Sequence, residues 1–425
     1  MLYKAIERES GENMFYALCN NVFLVMGYVG GCIYDFNSSK LYRINNLLAK
    51  QLNLVNHGEI TDSSVDPELK SVFDKFLDLG ILQLSTAPIN RSITEIETKD
   101  PGCEFAWIEV TNKCNLRCLH CYNESNAQCD MSMSLDDFKV VIDSLLALDV
   151  HKIQIIGGEP FFDGAALKDM LEYTTGKFDV IEIFTNGTLI TPDWIKYFAQ
   201  NHIHIALSVY SYSEENHDKV TGVTGSWVKT NRTITALREH GVPYRVCNVL
   251  MKEVALGEKN TDLYRLSPSK DVVRMSGRAN FELLTDDLIK KKLITKNSFR
   301  GRIERHACGN LVAGHNCFRS KIYISADMKI FPCVMERRIQ HGTVSADTGI
   351  ILDDSIRYLN KDKIQKCSQC EYRYACFDCR PDSLQDNVLE KPWYCTYKPL
   401  LGVWEDEDSF IRGLRKTWAS PLTEI

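Results

Sequence analysis

Thr111-Asn112-Lys113-Cys114-Asn115-Leu116-Arg117-Cys118-Leu119-His120-Cys121-Tyr122 is the stretch on which the reading of this 425-residue chain turns. Its three cysteines are spaced C-x3-C-x2-C behind an apolar run, Phe105–Val110, with the composition of a strand. The chain holds sixteen cysteines, and random placement at that frequency gives this triple in only about 2% of such chains. A closed zinc site needs four ligands, and the nearest further cysteine, Cys129, lies eight positions on in a polar loop. Three thiolates with an open position suit a reactive iron cluster better, and no fourth cysteine followed by proline stands at ferredoxin spacing.

Composition bounds the alternatives. With 44% hydrophobic and 25% charged residues the chain should build two or three cored domains, and a net charge of −6 argues against nucleic acid or an anionic membrane as partner. Met1–Glu9 is charged where a secretion signal would be apolar. The most apolar stretch, Val22–Phe36, is shorter than the ~20 residues a bilayer needs and is interrupted by Gly27, Gly30 and Gly31. The expected location is a reducing cytoplasm, where clustered thiolates mean metal or catalysis. Five scattered cysteines (Cys19, Cys32, Cys103, Cys129, Cys247) are expected to pack as small hydrophobes.

Strand-like runs alternate with helix-period segments from Phe105 to about Ala279, the pattern of a parallel β/α architecture. Six strands are expected: Phe105–Val110, Lys152–Ile156, Asp179–Phe184, His202–Val209, Tyr244–Met251 and Asp271–Met275. After the first, Ser134 reads as a helix cap, with Phe138, Val141, Ile142 and Leu145 at core spacing. The second strand ends in Gly157-Gly158-Glu159-Pro160, whose glycines allow close backbone approach, and the third in Thr185-Asn186-Gly187-Thr188. In the fourth, Ile203, Ile205, Leu207 and Val209 share one face and His202, His204, Ala206 and Ser208 the other.

These residues together resemble the radical S-adenosylmethionine (SAM) enzymes. The resemblance implies a partial (β/α)6 TIM-like barrel in which Cys114, Cys118 and Cys121 hold three irons of a [4Fe-4S] cluster, the fourth iron chelating SAM. One electron would then cleave SAM to a 5′-deoxyadenosyl radical that abstracts hydrogen from the substrate. It also implies SAM contacts from Gly157, Gly158, Glu159, Pro160, Thr185, Asn186, Gly187 and Ser208. Where the family often reads Ser-Ile-Asp-Gly, this chain has Ser208-Val209-Tyr210-Ser211, so no catalytic acid carries over.

Cys367-x2-Cys370-x5-Cys376-x2-Cys379 is too tightly spaced for a zinc ribbon, whose pairs stand ~15–20 residues apart. With Cys317, Cys333 and Cys395 it resembles the SPASM domain, with Met328 in place of a usual glycine. Family topology implies two auxiliary [4Fe-4S] clusters, one on Cys308, Cys317, Cys333 and Cys379 and one on Cys367, Cys370, Cys376 and Cys395, for three clusters in all. Lys321–Pro332 reads as a hairpin turning at Ala326-Asp327 that brings Cys333 back beside Cys317.

In the N-terminal hundred residues, Met14–Tyr28 and Gly31–Tyr42 read as strands, Asn45–Leu54 as a helix, and Asp66, Pro67 and Gly80 punctuate a second helix with Leu69, Val72, Phe73 and Phe76 inward. This order resembles the RiPP recognition element, a winged-helix domain that binds a precursor peptide's leader, implied to act by strand addition. A DNA-binding winged helix is disfavoured, since residues 1–94 carry eight Lys/Arg against ten Asp/Glu. The expected organisation is 1–94 peptide-binding domain, 95–103 linker, 104–300 radical SAM core, 301–400 SPASM domain and 401–425 C-terminal helix, with Val403–Trp418 helical.

The expected function is radical modification of a ribosomally made precursor peptide, forming a thioether or carbon–carbon cross-link, with flavodoxin or ferredoxin as electron donor. A sulfatase-maturing enzyme is the enzymatic alternative, disfavoured by Val334 where that branch has an aspartate; a non-catalytic iron–sulfur peptide-binding scaffold is the other. No catalytic base stands out: Glu109, Asp163, Glu214 and Asp218 read as surface-loop residues.

Overall fold

The computed structural model describes residues 13–252, 254, 271–315, 317–382 and 387–419. The chain opens with β1 (Phe15–Leu18), β2 (Val22–Met26), β3 (Gly30–Asp35) and β4 (Lys40–Asn45). The run expected as one strand is split because Asn21 turns at φ 61, and β2-β3-β4 form their own antiparallel sheet. Asn45 caps α1 (Asn46–Asn56) by accepting from Leu48 N–H, and α2 (Pro67–Asp78) starts as expected, Asp66 accepting from Glu68 N–H with Pro67 at the first position. Phe73 is the wholly buried residue of α2, and β5 (Leu82–Ser85) closes antiparallel on β1. This unit docks on the cysteine-rich C-terminal segment: Tyr34 donates to Glu371 O at 3.0 Å and Arg43 pairs with the buried Glu371 carboxylate at 2.9 Å.

The central layer follows the β/α pattern, with β6 (Phe105–Thr111), α3 (Leu135–Ala147), β7 (Lys152–Gly157), α4 (Gly164–Thr174), β8 (Val180–Thr185), α5 (Pro192–Asn201), β9 (His204–Ser208), α6 (Glu214–Thr221), α7 (Ser226–Glu239) and β10 (Tyr244–Cys247). The five strands are parallel and neighbours in the order β10-β9-β8-β7-β6. Ile108, Ile155, Ile183 and Ile205 face the helices in one core with Phe138 and Val141 of α3. Opposite positions face the barrel interior, and this corrects the surface-loop reading of Glu109: it lies on the interior face of β6 and is 2% exposed.

Two expected strands change. Residues 271–275 contribute only a parallel bridge, Leu250 to Val272, so among the described residues a sixth regular strand is not formed. His202 leaves the fourth strand because it caps α5 in the left-handed region at φ 53. The sheet instead grows on its other side. β11 (Lys321–Ile324) pairs parallel with β6, and β12 (Lys329–Phe331), β13 (Gly342–Ser345) and β14 (Gly349–Leu352) continue antiparallel. The β11–β12 hairpin turns where expected, and Met328 sits at φ 66, which explains why glycine suits that place. At the C-terminus Val403–Trp404 is a strand paired with Tyr397–Lys398, and the helix is confined to Glu407–Ala419. Among the described residues no helix is long and apolar enough to cross a membrane.

Candidate active site

The strand ends of the parallel sheet converge on one cavity of about 190 Å³. Its wall contains Cys114, Cys118 and Cys121 from the loop after β6, Gly157 and Gly158 from β7, Thr185 and Asn186 from β8, and Ser208 from β9. The two glycines have a reason beyond ligand approach. A Cβ on Gly157 would lie 2.4 Å from Thr111 O, and one on Gly158 2.1 Å from Lys113 O, so the end of β7 is pressed directly on the backbone of the cysteine loop. Gly158 N–H and Glu159 N–H seal that contact on Thr111 O and Lys113 O, each at 2.7 Å.

Glu159, Pro160 and Gly187 stand behind this wall. The Glu159 carboxylate is fully buried and accepts from Thr185 Oγ1 at 2.7 Å, Asn186 N–H at 2.8 Å and Phe161 N–H at 3.1 Å, so it braces the two β8 residues that do reach the cavity. Burial pushes its pKa up to about 7 against those three hydrogen bonds. Pro160 opens the short helix after β7, and Gly187 turns at φ 75 with its N–H on Thr185 Oγ1. Asn186 Nδ2 is 3.9 Å from Cys114 Sγ and 2.9 Å from Asn115 Oδ1.

Several cavity residues escaped the sequence reading. Tyr210, just past β9, lines the cavity, with its backbone N–H on His217 Nδ1 at 3.3 Å and its ring edge-on to His120 at 4.7 Å. Arg278 donates from Nε to Cys118 O at 2.9 Å and from Nη2 to Ser125 O at 3.0 Å, and Gly277, at φ 55, lets its turn touch Cys121 O. Arg274 and Asp271 also face in, and Cys247, expected as a packed hydrophobe, lines the wall with Arg245 Nη1 2.8 Å from its sulfur. Only the glycine-flanked Arg278 and the strand-end position of Tyr210 were visible as signals in the sequence.

The residues fit an anionic iron–sulfur group with a ligand beside it. Burial and then the Cys121 charge push the Cys118 thiol up to about 12, while Arg278 and Tyr210 pull the other way; burial and then Glu159 raise Cys114. Loading metal onto such thiols must release protons. On the same wall Ser125 Oγ and His120 Nδ1 are buried polar atoms without a protein partner. Among the described residues no three His, Cys, Asp or Glu side chains close around a single ion.

The C-terminal cysteines fall into two groups. Cys333 is raised chiefly by burial and also by Cys379 and Cys317. Cys376 is raised by burial and by Cys395 and Cys367, and Cys370 by burial and by Cys376 and Cys367. The structure does not bring Cys308 to the first group: it is buried in the helix Arg305–Ala313 with Cys32, Tyr34 and Tyr372, and burial alone raises it to about 12. The family topology implied it as a ligand of that group, and here it packs into the helix's own cluster instead.

Residues 108–253 match the family model of the Radical SAM superfamily. This segment is a radical SAM domain. Among curated proteins the chain is 32% identical over 169 residues to the antilisterial bacteriocin subtilosin biosynthesis protein AlbA of Bacillus subtilis, covering 39% of this chain and 38% of AlbA. The chain thus spans under two fifths of that relative's length. It is 22% identical over 348 residues to the AdoMet-dependent heme synthase of Methanosarcina barkeri, covering 69% of this chain and 96% of the relative. Among solved structures, Streptococcus suis SuiB, also crystallised with its precursor peptide SuiA, aligns at 16% identity and a TM-score of 0.48 over 88% of this chain, covering 99% of the free SuiB chain and 100% of the peptide-bound one.

Proposed function

We propose that this protein is a radical SAM maturase that modifies a ribosomally made precursor peptide. The observation that carries the reading is the single cavity that gathers Cys114, Cys118 and Cys121 with Gly157, Gly158, Thr185, Asn186 and Ser208 at the C-terminal strand ends. Cys114, Cys118 and Cys121 would hold a [4Fe-4S] cluster with an iron open to SAM, which supplies a 5′-deoxyadenosyl radical once an electron from a flavodoxin- or ferredoxin-class donor arrives. The strand-end residues orient SAM, and Glu159 fixes two of them. Two auxiliary clusters in a SPASM domain are assigned to Cys317, Cys333 and Cys379 and to Cys367, Cys370, Cys376 and Cys395. The cations beside each group support this: the part-exposed Arg274 at Cys333 and Cys379, and the buried Lys361 and Arg380 at Cys367. The N-terminal β-sheet and helix pair is assigned as the leader-binding winged-helix element, in a cytoplasmic enzyme.

The product assigned is a thioether or carbon–carbon cross-link. Reconstituted, reduced protein incubated with SAM and the small peptide encoded beside it should yield 5′-deoxyadenosine and a peptide about 2 Da lighter per link; SAM turnover with an unaltered peptide refutes the peptide reading. A second reading, a heme-type small substrate, is favoured by the near full-length coverage of the heme synthase relative. It predicts SAM cleavage stimulated by a porphyrin and not by the peptide.

A further inference from the structure

The loop that carries Cys367, Cys370, Cys376 and Cys379 has little structure of its own, only the single turns Cys367–Gln369 and Arg373–Ala375. Its main-chain oxygens around Cys370 must therefore find partners elsewhere. They find them against the N-terminal unit. Tyr28 N–H donates to Gln369 O at 2.9 Å, and the Tyr34 hydroxyl donates to Glu371 O at 3.0 Å. Arg373 Nη1 donates both to Cys370 O at 3.0 Å and to Met26 O at 2.8 Å, so one guanidinium nitrogen ties the end of β2 to the cysteine itself. The Glu371 side chain turns the same way, wholly buried, and accepts from Arg43 Nε at 2.9 Å. Packing closes the contact. A Cβ on Gly27 would stand 2.6 Å from Glu371 Oε2 and 3.0 Å from Glu371 N, and Phe23, Val25, Cys32 and Tyr34 lie in one buried cluster against which Cys370 and Cys395 pack. A peptide strand would add at an edge of the β2-β3-β4 sheet, whereas this contact uses the sheet's face and its β2–β3 turn. Leader binding leaves it without a task.

We propose that the N-terminal unit is part of the second metal site: Tyr34 and the β2–β3 turn are positioning elements that hold Cys370 in place for its metal and slow the metal's loss. The inference rests on Cys370 being a ligand together with Cys367, Cys376 and Cys395, and not on the peptide reading. The groups that orient a metal's ligands typically account for about 10–100-fold of its affinity. Tyr34 is wholly buried, so Tyr34→Phe keeps the ring in its cluster and leaves only Glu371 O without its donor. Gly27→Ala disturbs the same seat from another side, by pushing the turn off Glu371.

The test is the anaerobic release of iron from the full-length reconstituted protein into excess ferrozine, followed over time. The release phase missing from Cys370→Ser belongs to the second group. Tyr34→Phe should speed that phase about tenfold while the remaining phases stay within twofold of wild type. Gly27→Ala should speed the same phase, and either variant decides the matter if the other does not fold. An unchanged phase in a folded variant, or equal acceleration of every phase, overturns the proposal alone. Cys370→Ser releasing iron in the same phases as wild type overturns it together with the assignment of Cys370.

Discussion

Substituting Gly158 by alanine tests whether the β7 terminus seats the cysteine loop. A Cβ there would stand 2.1 Å from Lys113 O, 2.6 Å from Lys113 C and 2.7 Å from Asn112 O, all main-chain atoms with no rotamer to yield. A relaxed carbon–oxygen contact is about 3.3 Å, so the two backbones must part by about 1 Å. That stretches both 2.7 Å hydrogen bonds, Gly158 N–H to Thr111 O and Glu159 N–H to Lys113 O, beyond useful length. Two such bonds at about 1 kcal/mol each, with about 1 kcal/mol for the overpacked wall, give about 3 kcal/mol. At 1.36 kcal/mol per decade this is about a 150-fold easier opening of the loop. Hydrogen exchange reads it directly, because Arg117 N–H and Leu119 N–H in that loop are held on Thr221 O and Val220 O at 2.9 Å each. Gly158→Ala should lower protection at those two amides about 150-fold while leaving α2, in the N-terminal unit, unchanged. Exchange within twofold of wild type would refute the claim that this backbone contact seats the loop.

Other predictions rest on single features. Glu159 has its folded pKa raised from 4.5 to about 7, so its contribution to stability is complete below pH 4.5 and is lost as pH rises through 7. Urea midpoints should show wild type losing about 3 kcal/mol over that window relative to Glu159→Gln, and parallel profiles would count against it. Asp378→Asn should cost about 3–5 kcal/mol in denaturation, since Lys361 and Arg380 are each under a tenth exposed and share that carboxylate. Gly413→Ala, in the Glu407–Ala419 helix with nothing within 4 Å of the added carbon, should stabilise by about 1 kcal/mol. Cys308→Ala should leave the iron content of reconstituted protein unchanged, because Cys308 packs with Cys32, Tyr34 and Tyr372 in a buried cluster that does not contain Cys317, Cys333 or Cys379; a fall in iron would restore it as a ligand.

What could be read from the sequence was local. The C-x3-C-x2-C spacing, the Ser134 and Asp66 caps and the core stripe of α3 depend on residues a few positions apart, and the structure places each as the spacing requires. The cavity also gathers the strand-end motifs, because neighbouring parallel strands deliver their C-terminal ends to one side. What escaped was set by distant pairing. Glu109 looked like a loop acid because, besides Asn123, its carboxylate is held by residues 214 and 228 positions away: Tyr323 donates to it and Arg337 lies 3.6 Å from it. The parallel pairing of β11 with β6 carries no periodic signature either. Cys308 failed for the opposite reason, since proximity to Cys317 in sequence says nothing about the direction a helix turns its side chain.

The distant contacts share a physical cause. Thiolates removed from water need positive charge or hydrogen-bond donors nearby, and each cysteine group has recruited them from another part of the chain. Arg278 reaches Cys118 O from the turn at Gly277, and Tyr210 shares the cavity wall with Cys118 from beyond β9. Arg274 faces Cys379 and Cys333 from that same turn, with Asp271 balancing it at 3.5 Å. Near Cys367 and Cys376, Lys361 and Arg380 meet the one carboxylate of Asp378, while His315 is held neutral by burial with a pKa of about 4. Two buried cations against one anion leave a positive excess that free, protonated thiols cannot offset. Ionised Cys367 and Cys376 thiolates would offset it, which is the state a metal requires of its ligands. The same reasoning ties the segment carrying Arg274, Gly277 and Arg278 to two cysteine groups at once, Cys118 at the cavity wall and Cys333 with Cys379.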